Sequence, residues 1–366
     1  MCTSTHFFLG ANSGRGFQSL FDRFCEPADF DDLLVLKGSA GCGKSTMMRR
    51  IGEAMEERGE EVEYLHCSGD PDSLDGVHIP RLRTAVVDGT SPHVVEPKYP
   101  AAVERYVNLG AYWDLAGIKG EREAVTQWSE ACSAAYRRAY RALGAARQME
   151  DSAAALAAEG MDFDKLQRRT DGILARELRG RGGGGADRWR FLGSLTCRGP
   201  VWRFDTAGTL CPKIYQIQDS YGLAWPMLER IHAAARARGF RAVVCPSPEH
   251  PDRIEHLLLP EPGLAFVTSR EGMVYDGPAY RRVRVDAMIP AAYCKRFRSR
   301  LRFTRRMVQV LREEGMAALG EAKAAHDQLE AVYHPHVDFD GVAGLTAREL
   351  ERMERRLAAL GEGPRP

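Results

Sequence analysis

A series of short motifs from the front of this chain returns, in the same order, in its second half, so the fold must be one that can be built twice. Leu9-Gly10, Arg15-Gly16 and Phe21-Asp22 keep their internal spacing in Leu192-Gly193, Arg198-Gly199 and Phe204-Asp205. Arg58-Gly59, Pro71-Asp72, Ile79-Pro80 and the apolar run Thr84 to Val87 find counterparts in Arg238-Gly239, Pro251-Asp252, Leu259-Pro260 and Leu264 to Val267. Near the ends of the copies, Ala142-Leu143-Gly144 parallels Ala318-Leu319-Gly320, and Asp162-Phe163-Asp164 parallels Asp338-Phe339-Asp340. Gly, Pro and Asp do recur in loops by chance, but co-linear matches favour duplication. The stretch Arg179 to Arg188, with Gly182 to Gly185 uninterrupted, has the composition of a connector and falls where the second copy begins. The expected domains are residues 1–182 and 187–366.

Within the first copy, His6 to Leu9, Leu33 to Leu36, Val62 to Leu65 and Thr84 to Val87 read as strands, and Phe17 to Phe24 as a short helix. Ser45 to Glu57 reads as a helix, with Met47, Met48, Ile51 and Met55 on one face. Strands alternating with helices predict an α/β unit with a parallel sheet covered on both faces. Residues 101–178 turn Ala-, Arg- and Glu-rich with few breakers, which predicts an appended helical hairpin; 291–362 repeat the plan, through Phe303 to Val332 and Thr346 to Leu360.

Composition bounds the function classes. Lysine plus arginine number 51 against 50 acids, so a net charge of +1 provides no global attraction to nucleic acid or an anionic membrane. No apolar stretch approaches 18 residues and Met1 to Gly10 lacks a secretory leader pattern, so no membrane partner is expected. The nine cysteines, among them Cys2, Cys25 and Cys42, show no C-x-x-C pairing. They read as reduced thiols, and the expected location is cytoplasmic.

Gly38-Ser39-Ala40-Gly41-Cys42-Gly43-Lys44-Ser45 satisfies the phosphate-loop pattern G-x-x-x-x-G-K-[ST] between a predicted strand and helix. Glycines there let backbone N–H groups wrap an anion at the helix's positive end. The expected nucleotide contacts are Gly38 through Thr46. Lys44 is expected to reach the terminal phosphates, and Ser45 to coordinate Mg²⁺. Asp88, closing the strand Thr84 to Val87, is the candidate second metal ligand; Lys44 and Asp88 are the expected catalytic pair. Gly89 follows where many ATPases carry a water-activating glutamate, which weakens the expectation of fast hydrolysis. The loop His66 to Asp75 should approach the same crevice. Its Asp70 and Asp75 are tentative catalytic acids, to be weighed evenly against turn caps. His93 reads as a polar loop residue, and Cys42 as a small residue at a permissive position, although positive charge nearby would lower a thiol pKa.

Aligning Val35 to Ile51 with Tyr215 to Ile231 puts Gln216 through Pro226 where the phosphate loop should be, uncertain by one residue. The lysine position then holds Ala224 or Trp225, the hydroxyl position Trp225 or Pro226, and Thr268 replaces Asp88. The second copy is therefore expected to be degenerate, with Asp219 repelling phosphate. The densest basic run, Lys295 to Arg306 with Phe297 and Phe303, reads first as a solvated helix face and second as a nucleic-acid track.

Leu36-Lys37-Gly38 through Thr46, Leu65-His66-Cys67-Ser68, Asp72-Ser73-Leu74-Asp75-Gly76-Val77 and Asp88-Gly89-Thr90-Ser91-Pro92-His93 together resemble a poorly characterised bacterial family of tandem P-loop NTPase-like proteins. The resemblance covers nearly the whole chain. It implies two three-layer α/β/α units and ATP as ligand, with no reaction that can be carried over. Members usually keep a recognisable loop in the second unit, and this chain does not.

The leading expectation is a Mg²⁺-ATP-binding protein with one competent site, a slow or partner-stimulated ATPase. The alternatives are a small-molecule or nucleoside kinase using the same site, and a non-catalytic protein whose protein or small-molecule partner is gated by nucleotide. No Asn-Lys-x-Asp motif points to guanine, and no Leu-Ser-Gly-Gly signature points to a transporter ATPase.

Overall fold

A computed structural model describes residues 4–361; Cys2 and the expected hairpin end at residue 362 lie outside them. The first copy runs β1 (Ser4–Phe8), β2 (Gly10–Ser13), β3 (Gly16–Ser19), α1 (Phe21–Phe24), β4 (Asp32–Lys37), α2 (Lys44–Glu57), β5 (Val62–His66), β6 (Leu74–Ile79), β7 (Thr84–Asp88), β8 (Glu104–Asn108), α3 (Leu115–Gly120), α4 (Arg122–Glu159) and α5 (Phe163–Glu177). The second repeats it as β9 (Arg188–Trp189), β10 (Gly193–Thr196), β11 (Gly199–Trp202), α6 (Phe204–Leu210), β12 (Lys213–Gln218), α7 (Trp225–Ala237), β13 (Val243–Pro246), β14 (Ile254–Leu259), β15 (Leu264–Ser269), β16 (Arg281–Arg284), α8 (Ala291–Arg296), α9 (Arg298–Tyr333) and α10 (Phe339–Ala359). The six-stranded sheets share one order, β1-β5-β6-β7-β4-β8 and β9-β13-β14-β15-β12-β16.

The sheets are mixed, where parallel sheets were expected. β6 runs antiparallel to β5 and β7, and β14 antiparallel to β13 and β15. Connection length is the reason: residues 67–73 and 80–83 are too few for the crossover that a parallel pair needs. Two further expectations are corrected. Phe17 to Ser19 belong to strand β3 and only Phe21 to Phe24 form a single helical turn, and the hairpin segment from residue 101 first contributes the edge strand β8. Tyr106 on β8 is exposed while Val107 is buried, an alternation that composition alone does not separate from helix.

The compact units cut across the sequence repeat. One comprises Met1–Gly10, Ser19–Tyr136 and Leu319–Pro366; the other comprises Ala11–Gln18 and Arg137–Ala318. In the first unit α10, from the second copy, buries Val342 and Met353 in one core with Met47, Met48 and Ile51 of α2 and with Leu34, Leu36 and Val86 of the sheet. In the other unit α5, from the first copy, buries Leu166 and Ile173 with Met227, Leu228 and Ile231 of α7. The hairpin helices are thus exchanged. Each starts on an aspartate: Asp162 accepts the Lys165 N–H and Asp338 the Gly341 N–H, which explains why Asp-Phe-Asp recurs. The connections are α4 and α9, unbroken helices of 38 and 36 residues, about 55 Å each at 1.5 Å per residue. The unit boundary falls inside each of them, between Tyr136 and Arg137 and between Ala318 and Leu319, so the hairpin helix that follows belongs to the other unit.

Candidate functional site

In the first unit β4 and β7 pair in parallel, with Leu36 beside Asp88, so the loop after β4 and the carboxylate ending β7 emerge at one sheet edge. The loop turns into α2 through Gly41 at φ 68° and Gly43 at φ 91°, a backbone region in which glycine alone is unstrained. A side chain at Gly38 would run into Cys42 Sγ, and one at Gly41 would meet His334 Nε2 at 2.8 Å. The glycines are therefore demanded by close approach as well as by φ.

Lys44 Nζ folds back to donate to the carbonyls of Gly38 and Ser39, both at 3.0 Å, and lies 3.5 Å from Asp88 Oδ2. Asp88 Oδ1 accepts from the Thr90 backbone N–H and from its hydroxyl. Ser45 Oγ accepts the Leu74 N–H at 3.0 Å, which leaves the oxygen a second lone pair. Lys44, Ser45 and Asp88 are therefore gathered around one helix N-terminus. Ser39, Ala40 and Gly41 are half-buried beside them, and Thr46 is exposed on the first turn of α2. Cys42 is buried beneath the loop; burial raises its thiol pKa more than Lys44 lowers it, so the positive surroundings do not make it acidic.

The two tentative acids separate. Asp70 caps the turn at Asp72 and sits 3.3 Å from Lys323 Nζ, as a turn residue would. Asp75, at the start of β6, is buried with Oδ2 3.2 Å from His93 Nε2. Because β6 is antiparallel, its first residues lie at the same edge as the end of β7. Burial disfavours the charged imidazole of His93, but the Asp75 carboxylate holds its pKa above the ordinary 6.5. Burial and then Asp75 push the Cys67 thiol well above 9.0. In sequence His93 is a polar loop residue, and its pairing with Asp75 across 18 positions leaves no local signal. Gly89 donates its N–H to Leu36, and any side chain there would overlap Val35 Cγ1, so packing excludes a glutamate at this position.

Sequence reasoning also missed what closes the loop from outside. Glu330 and His334 lie against Gly41, Val342 against Gly43, and Lys323 against Asp70, all supplied by the second copy. Within either repeat they look like ordinary helix-surface residues, and only the exchange brings them to this loop.

The second unit has a different loop at the corresponding place. Ile217 pairs with Thr268 as Leu36 pairs with Asp88, and Met227, Leu228, Ile231 and Ala235 are buried as Met47, Met48, Ile51 and Met55 are. Between strand and helix, residues 219–223 therefore stand where residues 38–43 stand, and Ala224 takes the lysine position. The buried Asp219 carboxylate accepts the N–H groups of Leu223 and Ala224 at 2.9 and 2.8 Å. Instead of only repelling an anion, the loop carries one of its own. No protein-family model, curated protein or solved structure matches this chain. Among the described residues no helix is long and apolar enough to cross a membrane.

Proposed function

We propose that this protein binds one Mg²⁺-ATP per chain at the loop Gly38 to Ser45 and turns it over slowly, as an ATPase that a partner stimulates. The reading is carried by one observation: Lys44 at the N-terminus of α2 lies 3.5 Å from Asp88 at the end of the adjacent parallel strand. In that arrangement the positive end of a helix and an ammonium lie together, which favours polyphosphate. The Lys44 contacts to Gly38 and Ser39 are ones that phosphate oxygens would replace. Ser45 and Asp88 are the residues that would hold Mg²⁺, which when bound with ATP neutralises charge on the phosphate oxygens. Slow turnover is supported by the crowding at Gly89, which denies the site a glutamate at that position.

The Asp75–His93 pair favours a second reading, transfer of the phosphoryl group to an acceptor hydroxyl. An imidazole oriented by a carboxylate is suited to accepting a proton, and it feels the charges of Lys44 and Asp88. Titration calorimetry with Mg²⁺-ATP decides the binding claim. One site per chain is expected, weakened at least about tenfold by Lys44→Ala with the thermal melt unchanged. Unaltered affinity in that variant, or two equal sites, refutes it. Phosphate release with and without hydroxyl acceptors separates hydrolysis from transfer.

A further inference from the structure

The second unit contains a cavity of about 360 Å³, within the size range of small-molecule sites. Its floor is the short loop from Asp219 to Trp225, and its walls come from α4, α9, the β10–β11 ribbon, the loop after β13 and the end of β15. It thus lies at the sheet edge where open α/β folds hold ligands. Its chemistry differs from that of the first unit. Asp219 already fills the backbone anion cradle, so phosphate meets a carboxylate in place of free N–H groups.

Most charges around the cavity neutralise one another. Arg270 pairs with Glu255 at 2.6 Å, Arg312 with Glu150 at 2.9 Å, Arg147 with Asp151 at 2.9 Å and Arg305 with Glu271 at 3.3 Å. Arg253 lies over the Trp225 ring, 5.2 Å from its centroid, and not against a carboxylate of the described residues. Glu249, among the acids, is different. Both of its carboxylate oxygens rest on a single donor, the Gly14 N–H, at 3.1 and 3.0 Å, and among the described residues no cation lies within ion-pair distance of it. Trp202 and Tyr221 give the lining two half-buried aromatic side chains, Trp225 a third whose ring is covered on one face by Arg253, and Met273 adds a buried apolar one.

From the cavity, its filled cradle and this unpaired carboxylate, we infer that the second unit binds a small organic ammonium compound: an aromatic or apolar body bearing one amine and no phosphate. The amine pairs with Glu249 and the body packs against the aromatic wall. The degenerate copy has therefore exchanged anion recognition for cation recognition at the same edge of the same fold. Loss of the charge at Glu249 removes the attraction while its amide counterpart retains the Gly14 hydrogen bond.

The test is titration of the full chain with tryptamine and tyramine, and with their carboxylate analogues indole-3-propionate and 4-hydroxyphenylpropionate, followed by calorimetry and tryptophan fluorescence. The amines are expected to saturate one site per chain and the acids to bind at least about tenfold more weakly, the scale of one charge-assisted hydrogen bond. Glu249→Gln should weaken the amines by a similar factor and leave Mg²⁺-ATP binding as it was. Ala154→Trp, which fills the cavity from α4, should abolish amine binding with the thermal melt retained. Acids binding as well as amines, amine binding indifferent to Glu249→Gln, or no saturation by either amine overturns the inference. Each of these outcomes is independent of whether the first unit binds ATP.

Discussion

Glu249→Gln also makes a quantitative prediction about stability in the absence of any ligand. Burial in the cavity wall, with the nearby Glu150 charge, outweighs the Gly14 N–H and the charges of Arg312 and Arg147, and raises the Glu249 carboxyl from 4.5 to about 7. The folded chain therefore holds this proton more tightly than the unfolded chain does. Below about pH 4.5 the group is protonated in both states and costs nothing. As pH rises the ionised carboxylate weighs on the folded state alone, and the full cost is present above about pH 7. A rise from 4.5 to about 7 corresponds to ~3.5 kcal/mol at ~1.4 kcal/mol per pKa unit. Water at the partly exposed side chain reduces this, so about 1–3 kcal/mol is expected. Glutamine has nearly the same shape, keeps an acceptor for Gly14 and carries no charge. The variant should match the parent near pH 4.5 and exceed its stability by about 1–3 kcal/mol at pH 8. Urea unfolding at a series of pH values, followed by tryptophan fluorescence, measures the difference. A difference that stays constant with pH, or one that favours the parent at pH 8, refutes the assignment of an uncompensated carboxylate.

Four further outcomes follow from the geometry. Asp75→Asn should remove the main influence that raises the His93 pKa, leaving burial and Lys44 opposed only by Asp88, so that its imidazole titrates lower than in the parent; histidine ring NMR reads this directly, and an unchanged midpoint would dissolve the pair. Gly89→Ala should destabilise the chain by about 1–3 kcal/mol through overlap with Val35, as measured by chemical denaturation, and a neutral result would mean that the position is open to a side chain after all. Asp219→Ala should leave two N–H groups of a buried loop without their acceptor and cost about 1–3 kcal/mol, whereas a stabilised variant would show that the carboxylate is a burden and not a cap. Met353→Ala, far along the sequence from the loop Gly38 to Ser45, should cost about 2–5 kcal/mol by opening the core of the unit that carries that loop; hydrogen exchange in α2 should speed up, and protection unaffected there would contradict the helix exchange.

Local spacing made several features legible before any fold was known. The glycines, Lys44 and Ser45 lie within eight consecutive positions, the strand and helix beside them are written in short apolar patterns, and the two Asp-Phe-Asp repeats are the starts of corresponding helices. The repeated element order likewise follows from the repeated motifs. Strand direction was misread because β6 and β14 look like any buried strand, and only the few residues linking them to their neighbours distinguish an antiparallel insertion from a crossover.

What tertiary structure alone decided are the pairings made across long distances in sequence. Both copies present an apolar helix face to an apolar hairpin helix, so the pattern fits a hairpin folding on its own sheet as well as an exchanged one. The packing observed settles the choice, with His334 at Gly41 and Met353 in one core with α2. Likewise Asp75 reads as a turn acid until His93 stands 3.2 Å away, and Glu249 as a loop glutamate until its two oxygens meet the Gly14 N–H. A residue's type and its neighbours in sequence specify which bonds it can make; which partner it finds, and how much water it loses in doing so, depends on the packing of the whole chain.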